Sequence, residues 1–137
     1  MSNWKQAKIE TLSNIESAYF ESAMDRLGLY ADFNQKKMTR SFEGDSKDVH
    51  CVLVNKTTGK SANIGLNFTA NEDGTVNMVV NCDWYYTDMS EKEFVSKFTV
   101  AYNAVKTIDK ATCQGFSVES EEVMSDGRTK IVLTRAA

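Results

Sequence analysis

A lone histidine, a few carboxylates, three cysteines and a run of aromatic rings are the residues of this chain whose types permit chemistry. His50 has no second imidazole to share a metal ion or to complete an acid–base pair, and a packed or edge position accounts for it. Glu119, Glu121 and Glu122, with Asp83 and Asp88 elsewhere, offer carboxylates of the kind that hold a hard cation or move protons. On a strand, Glu119 and Glu121 share one face, and solvation alone explains such a pair. Cys51, Cys82 and Cys113 are odd in number, far apart and outside any CxxC or Cys/His pairing, which reads as reduced, mostly buried thiols. The hydrolase, zincin, phosphate-loop and dinucleotide fingerprints are missing, so the sequence assigns no catalytic residue, no metal ligand and no cofactor.

Binding chemistry is better represented. Trp84-Tyr85-Tyr86 sets three large rings side by side, and side chains that alternate across a strand cannot all enter one core. At least one ring is expected outside it, where it would serve a protein interface, stack a nucleobase, or lie under the following loop. Lys36, Lys37 and Arg40 place three positive charges within five residues, enough to meet a phosphate if their strand is exposed, though a solvated strand edge is the favoured reading. The net charge of −3 gives no global attraction to nucleic acid.

These residues need a scaffold. At 137 residues, 42% hydrophobic and 26% charged, the chain has the mixture of a single globular domain over residues 1–137, with neither proline nor a linker to divide it. No apolar run is long enough to cross a bilayer and no leader is apparent, so a cytoplasmic protein without membrane contact is expected. Lys5 to Glu10 suits a first strand. The capping pattern Ser13-Asn14-Ile15-Glu16, with Leu12, Ile15, Tyr19, Ala23 and Leu27 at helical spacing, predicts a helix that Gly28 ends. Period-two segments at Met38 to Phe42, Val49 to Asn55, Ile64 to Thr69 and Val76 to Trp84 predict four strands, with turns at Gly44-Asp45, Thr58-Gly59-Lys60 and Asn71-Glu72-Asp73-Gly74. A second capping pattern, Ser90 to Glu93, opens a helix with Phe94, Phe98, Ala101, Val105, Ile108 and Thr112 on one stripe, ending at Gly115. Phe116 to Val118 and Ile131 to Leu133, joined through Ser125-Asp126-Gly127, close the chain as a hairpin. The expected fold is α+β, an antiparallel sheet of about five to seven strands with two helices packed on one face, in the order β-α-β-β-β-β-α-β-β.

Several of these segments resemble one family. Leu27-Gly28 at the end of the first helix, Ile64-Gly65-Leu66-Asn67-Phe68, the Asp83-Trp84 pair, the aromatic-rich Phe94 to Tyr102, Gln114-Gly115-Phe116-Ser117-Val118, Asp126-Gly127 and Ile131-Val132-Leu133-Thr134-Arg135 are similar to the reading frame thirty-five proteins of algal plastids and cyanobacteria. Leu66 stands where an aromatic residue is more usual, and the Trp84-Tyr85-Tyr86 run is unusual for the family. The resemblance implies a small cytoplasmic α+β protein that partners a larger assembly, and it carries no known reaction.

The sequence therefore favours a noncatalytic protein-interaction domain, adaptor or regulatory, with Trp84, Tyr85 and Tyr86 as its contact residues and a protein partner whose identity and stoichiometry the residues leave open. A single-stranded nucleic-acid-binding module using the sheet aromatics with Lys36, Lys37 and Arg40 is the alternative. A small-ligand sensor or enzyme built from Asp83, Tyr85 and His50 is a third.

Overall fold

Alternation of apolar and polar or small residues is strongest in the middle of the chain, and there the sheet is built: Ile64 and Leu66 alternate with Gly65 and Asn67, and Met78, Val80 and Cys82 alternate with Val79 and Asn81. The computed structural model describes residues 10–39, 46–82, 91–126 and 128–135. Strands β1 (Glu10–Ile15), β2 (Leu29–Asp32), β5 (Cys51–Asn55), β6 (Ser61–Ala70) and β7 (Val76–Cys82) form one antiparallel sheet in the order β1-β7-β6-β5-β2. Strands β3 (Lys37–Thr39) and β4 (Ser46–Asp48) make a short ribbon, and β8 (Phe116–Val123) and β9 (Thr129–Arg135) make a longer one. The helices are α1 (Phe20–Arg26) and α2 (Glu91–Cys113).

One face of the five-stranded sheet carries the main core. Cys51, Leu53, Ile64, Leu66, Met78, Val80 and Cys82 point there with Ala23 and Met24 of α1 and Phe94, Phe98, Ala101 and Tyr102 of α2, and most of them are fully buried. Phe98 stacks on Phe94 at 6.1 Å and on Tyr102 at 5.8 Å between ring centroids, and Phe20 of α1 approaches it at 6.2 Å. The α+β class and the helix-covered face are as expected from the sequence. Gly28 and Gly115 end the two helices with φ of 71° and 87°, a region that costs a side chain energy and glycine little.

The first helix is shorter than its spacing predicts. Leu12 and Ile15 belong to β1, where Leu12 pairs Met78 and Ile15 pairs Val76 with a register shift between them. That bulge inserts a residue, so two core-facing strand positions stand three apart and imitate a helical repeat. Asn14 sits within it at φ 58°, its N–H donating to Asn77 Oδ1 at 3.1 Å. Among the described residues six strands, not four, lie between the helices, because Leu29–Asp32 and Ser46–Asp48 are too short to show a period. Of the predicted first strand only Glu10 lies among the described residues, and the predicted turn at Gly44-Asp45 and the capping residue Ser90 lie outside them.

The second face of the sheet is partly roofed. Met38, Val49 and Val52 form a small separate core beneath the β3–β4 ribbon. Its floor is Gly65, where an added Cβ would collide with Met38 Sδ and come within 2.7 Å of Val49 Cγ1. Asn81, buried in this face, donates to Asn67 Oδ1 at 2.9 Å, so the amide does not go unpaired under the roof.

Candidate functional site

The longer ribbon is built differently from the sheet. Register pairs Val118 with Leu133, Glu121 with Ile131 and Val123 with Thr129 on one of its faces, and Ser120 with Val132 and Glu122 with Lys130 on the other. A bulge between Val118 and Ser120 at Glu119 keeps Val118 and Val123 on the same face, with Glu121 between them. This face looks toward α2, yet the two do not close on each other. Val123 is 70% exposed and Val118 39%, while Phe116, Ile131 and Leu133 are only half-buried.

Between them lie two adjoining hollows of about 400 and 460 Å³. Val100, Ala104 and Thr129 border both; Leu27, Ala101 and Val123 line the first, and Thr107, Arg128 and Ile131 the second. Helix α2 thus has two apolar sides, one sealed on the sheet and one, through Val100 and Ala104, facing the ribbon. A bidentate ion pair, Arg26 with Glu121, bridges α1 to β8 at the mouth, its second contact at 3.1 Å. The guanidinium holds the Glu121 carboxyl below the usual carboxylate range through that hydrogen bond. Glu119 and Glu121 are therefore not a matched solvated pair, since Glu119 occupies the bulge and Glu121 is engaged.

A second feature lies at the far end of the sheet. Phe68 is flanked by His50, stacked at 6.0 Å, and by Phe33, stacked at 6.2 Å and 52% exposed. His50 Nδ1 accepts the Phe68 N–H at 2.8 Å, which places the ring proton on Nε2 and gives the imidazole a structural task. Lys36 is adjacent: its carbonyl accepts the Val49 N–H at 2.9 Å. Lys37 faces Asp48 at 3.9 Å in solvent.

The residues singled out from sequence are only partly placed. Trp84, Tyr85, Tyr86, Asp83, Asp88 and Arg40 lie outside the described residues. Lys36 and Lys37 come together at the start of β3 beside His50, an association the sequence did not suggest. Cys51 and Cys82 are buried, and burial pushes the Cys51 thiol up to about 12, so it is inert as a nucleophile. Cys113, at the end of α2, is exposed, contrary to the buried reading, because the stripe facing the sheet has ended before it. The ribbon hollows and Phe33 were not expected as site features. The available signal was Ile131-Val132-Leu133, an aliphatic run without alternation in a strand with only one neighbour among the described residues.

Among the described residues no group of three or more His, Cys, Asp or Glu is placed to hold a metal ion, and no helix is long and apolar enough to cross a membrane. No curated protein and no solved structure matches the chain. Residues 23–132 match a family described as protein of unknown function (DUF1257). That stretch runs from within α1 into β9 and so takes in α2, strands β2 to β8, most of the main core and most of the ribbon; the chain belongs to this family.

Proposed function

We propose that this chain is a noncatalytic protein-interaction domain, adaptor or regulatory, that works in the cytoplasm as one unit over residues 1–137. The observation that carries the reading is the apolar face of the β8–β9 ribbon, which touches α2 but leaves two hollows against it and keeps Val118 and Val123 exposed. Exposed aliphatic surface of this kind costs solubility unless something covers it, and clustered patches mark interaction sites. Val118, Val123 and Met124 are exposed on one ribbon, whereas the exposed apolar residues at the five-stranded sheet are the aromatics Tyr30 of β2 and Phe33 just after it. Trp84, Tyr85 and Tyr86, just ahead of α2 in the chain, are proposed as further contacts. The segments quoted for the plastid and cyanobacterial reading frame thirty-five proteins support kinship with that group and its role as a partner in a larger assembly.

Affinity purification of the tagged chain from native cells tests this, with mass spectrometry and nucleic-acid staining of the eluates. A stoichiometric protein partner is expected with the wild type and should be lost in a Val118→Lys, Val123→Lys variant. Partner loss in Trp84→Ala, Tyr86→Ala instead would move the surface to the aromatic run, and bare protein in every eluate rejects the reading.

A second reading, single-stranded nucleic acid, is favoured by one observation: Phe33, whose exposed ring stacks with Phe68 in line with His50, lies three residues before Lys36, and the Lys36 carbonyl accepts the N–H of Val49, next to His50. Stacking rings next to lysines are the means by which sheet-based modules hold bases and phosphates. Retardation of oligonucleotides that fades steeply with salt and is lost in Phe33→Ala supports it; no retardation at low salt removes it.

A further inference from the structure

Strand β9 has a neighbour on one side only, β8, among the described residues. Its hydrogen-bonding phase follows from the turn, where the Met124 N–H donates to the Arg128 carbonyl at 2.7 Å. In an antiparallel pair, residues facing the partner alternate with residues facing away, so Lys130, Val132 and Thr134 address β8. Thr129, Ile131 and Leu133 turn their N–H and C=O groups outward along the free edge.

That edge carries one lysine, Lys130, but few of the other features that keep edges from pairing. It has no proline, and the bulge of the ribbon is on β8. Ile131, Val132 and Leu133 are aliphatic on both faces of the strand and half-buried on each. Within this molecule the strand of comparable composition is β5, whose Cys51 to Val54 are all buried: β6 and β2 flank it, the helices cover Cys51 and Leu53, and Met38 and Val49 cover Val52. β9 has the side chains of an interior strand and the position of an edge strand.

Charge indicates what would complete it. Every charged residue from Arg128 to Arg135 is basic, in a chain of net charge −3; Arg128 is paired with Asp126 and Arg135 lies over Phe116, so Lys130 is the cation that selects the partner's charge. β8 carries Glu119, Glu121 and Glu122. A second β9 from another copy would bring cation alongside cation. We infer that β9 accepts, by strand addition, a segment of a partner protein in which acidic and aliphatic residues alternate. The inference rests on the protein-interaction reading and supplies its mode: main-chain bonds to the three outward residues, aliphatic side chains continuing the ribbon face over α2, and a carboxylate meeting Lys130.

The test uses the full chain and three fluorescein-labelled heptapeptides: alternating glutamate and valine, the same with lysine for glutamate, and the glutamate peptide N-methylated at alternate amides. Anisotropy titrations are paired with amide hydrogen exchange by NMR. The glutamate peptide is expected to bind at least about tenfold more tightly than either control, a difference of ~1.4 kcal/mol. It should slow exchange at Thr129, Ile131 and Leu133 and leave Lys130 and Val132, already bonded to β8, unchanged. Lys130→Glu should invert the preference between the glutamate and lysine peptides. Equal binding of all three peptides, no binding, or protection elsewhere overturns strand addition while leaving partner capture by the ribbon as a separate question. Protection of the three amides in the free chain, accompanied by a dimer in sedimentation, overturns it in favour of a second copy.

Discussion

The same helix serves two surfaces of opposite finish. Toward the sheet, α2 sets Phe94 and Phe98 among side chains with no solvent exposure; toward the ribbon, Val100 and Ala104 border open hollows. The contrast lies in the partner, since a five-stranded sheet offers a broad face with fixed register and an isolated two-stranded ribbon does not. Stability should therefore reside in the sheet half, and adaptability in the ribbon half.

The sharpest way to separate the halves is truncation. Phe98→Ala removes a fully buried ring from the centre of the aromatic stack and is expected to cost about 3–5 kcal/mol, read as the shift in urea midpoint at unchanged slope. Val123→Ala on the ribbon should change stability by less than about 0.5 kcal/mol. Comparable losses at the two sites would erase the distinction.

A smaller effect probes the roof on the second face. Gly65→Ala forces Met38 and Val49 aside and should cost about 1–3 kcal/mol. Combined with Met38→Ala, the penalty should fall below the sum of the single losses, because the clash has been removed. Strict additivity would mean that the β3–β4 ribbon does not rest on Gly65.

Arg26→Met tests the tie across the mouth. The pair is largely solvent-screened, so about 0.2–1 kcal/mol is expected globally, with a clearer effect on amide exchange in β8 than in β6. Acid titration sharpens this. Glu121 is held low by Arg26, and Glu16 by its hydrogen bond from Lys106 at 2.6 Å. Near pH 4 the unfolded chain binds more protons at both groups than the native one, so stability rises with pH there and is lost as pH falls below the ordinary carboxylate range. The Arg26→Met variant should show a shallower acid slope in melting temperature. At the alkaline end Tyr19, raised to about 12 by its hydrogen bond to Asp109, contributes stability present below about pH 10 and lost as pH climbs through about 12.

The least perturbing comparison needs no mutation. In the native chain a thiol reagent should label Cys113 within minutes and leave Cys51 and Cys82 unmodified until the core opens. Early labelling of Cys51 would show that the sheet half opens more readily than its burial indicates.

How much of this was legible follows the same division. α2 could be read directly, because Phe94, Phe98 and Ala101 answer to one large face and Gly115 marks its end, although Val105 and Ile108 on the same stripe run past that core and Thr112 is exposed. The middle strands declared themselves through alternation. The start of the chain did not: a bulge at Asn14 converted a strand period into a helical one, and only the pairing of Leu12 with Met78 resolves it. Leu29–Asp32 was hidden because four residues carry too short a pattern. The candidate surface escaped for a related reason. Phe116, Val118, Ile131 and Leu133 were visible as a hairpin, but the incomplete closure between that hairpin and α2 depends on geometry that no local pattern encodes. The aromatic run that the sequence favours in its place, Trp84 to Tyr86, lies outside the described residues, and Phe33 has no local pattern to set it apart from a loop.

Met38 gives the second face a chemical vulnerability that the first lacks. Its sulfur lies over the one position in β6 with no side chain, and the space saved by Gly65 is already filled. Oxidation to the sulfoxide would add an oxygen and a dipole where there is little room, whereas Met24 and Met78 are sealed beneath the helices. Among these three thioethers, the one beneath the small roof is the one whose redox state would decide whether its cover stays in place.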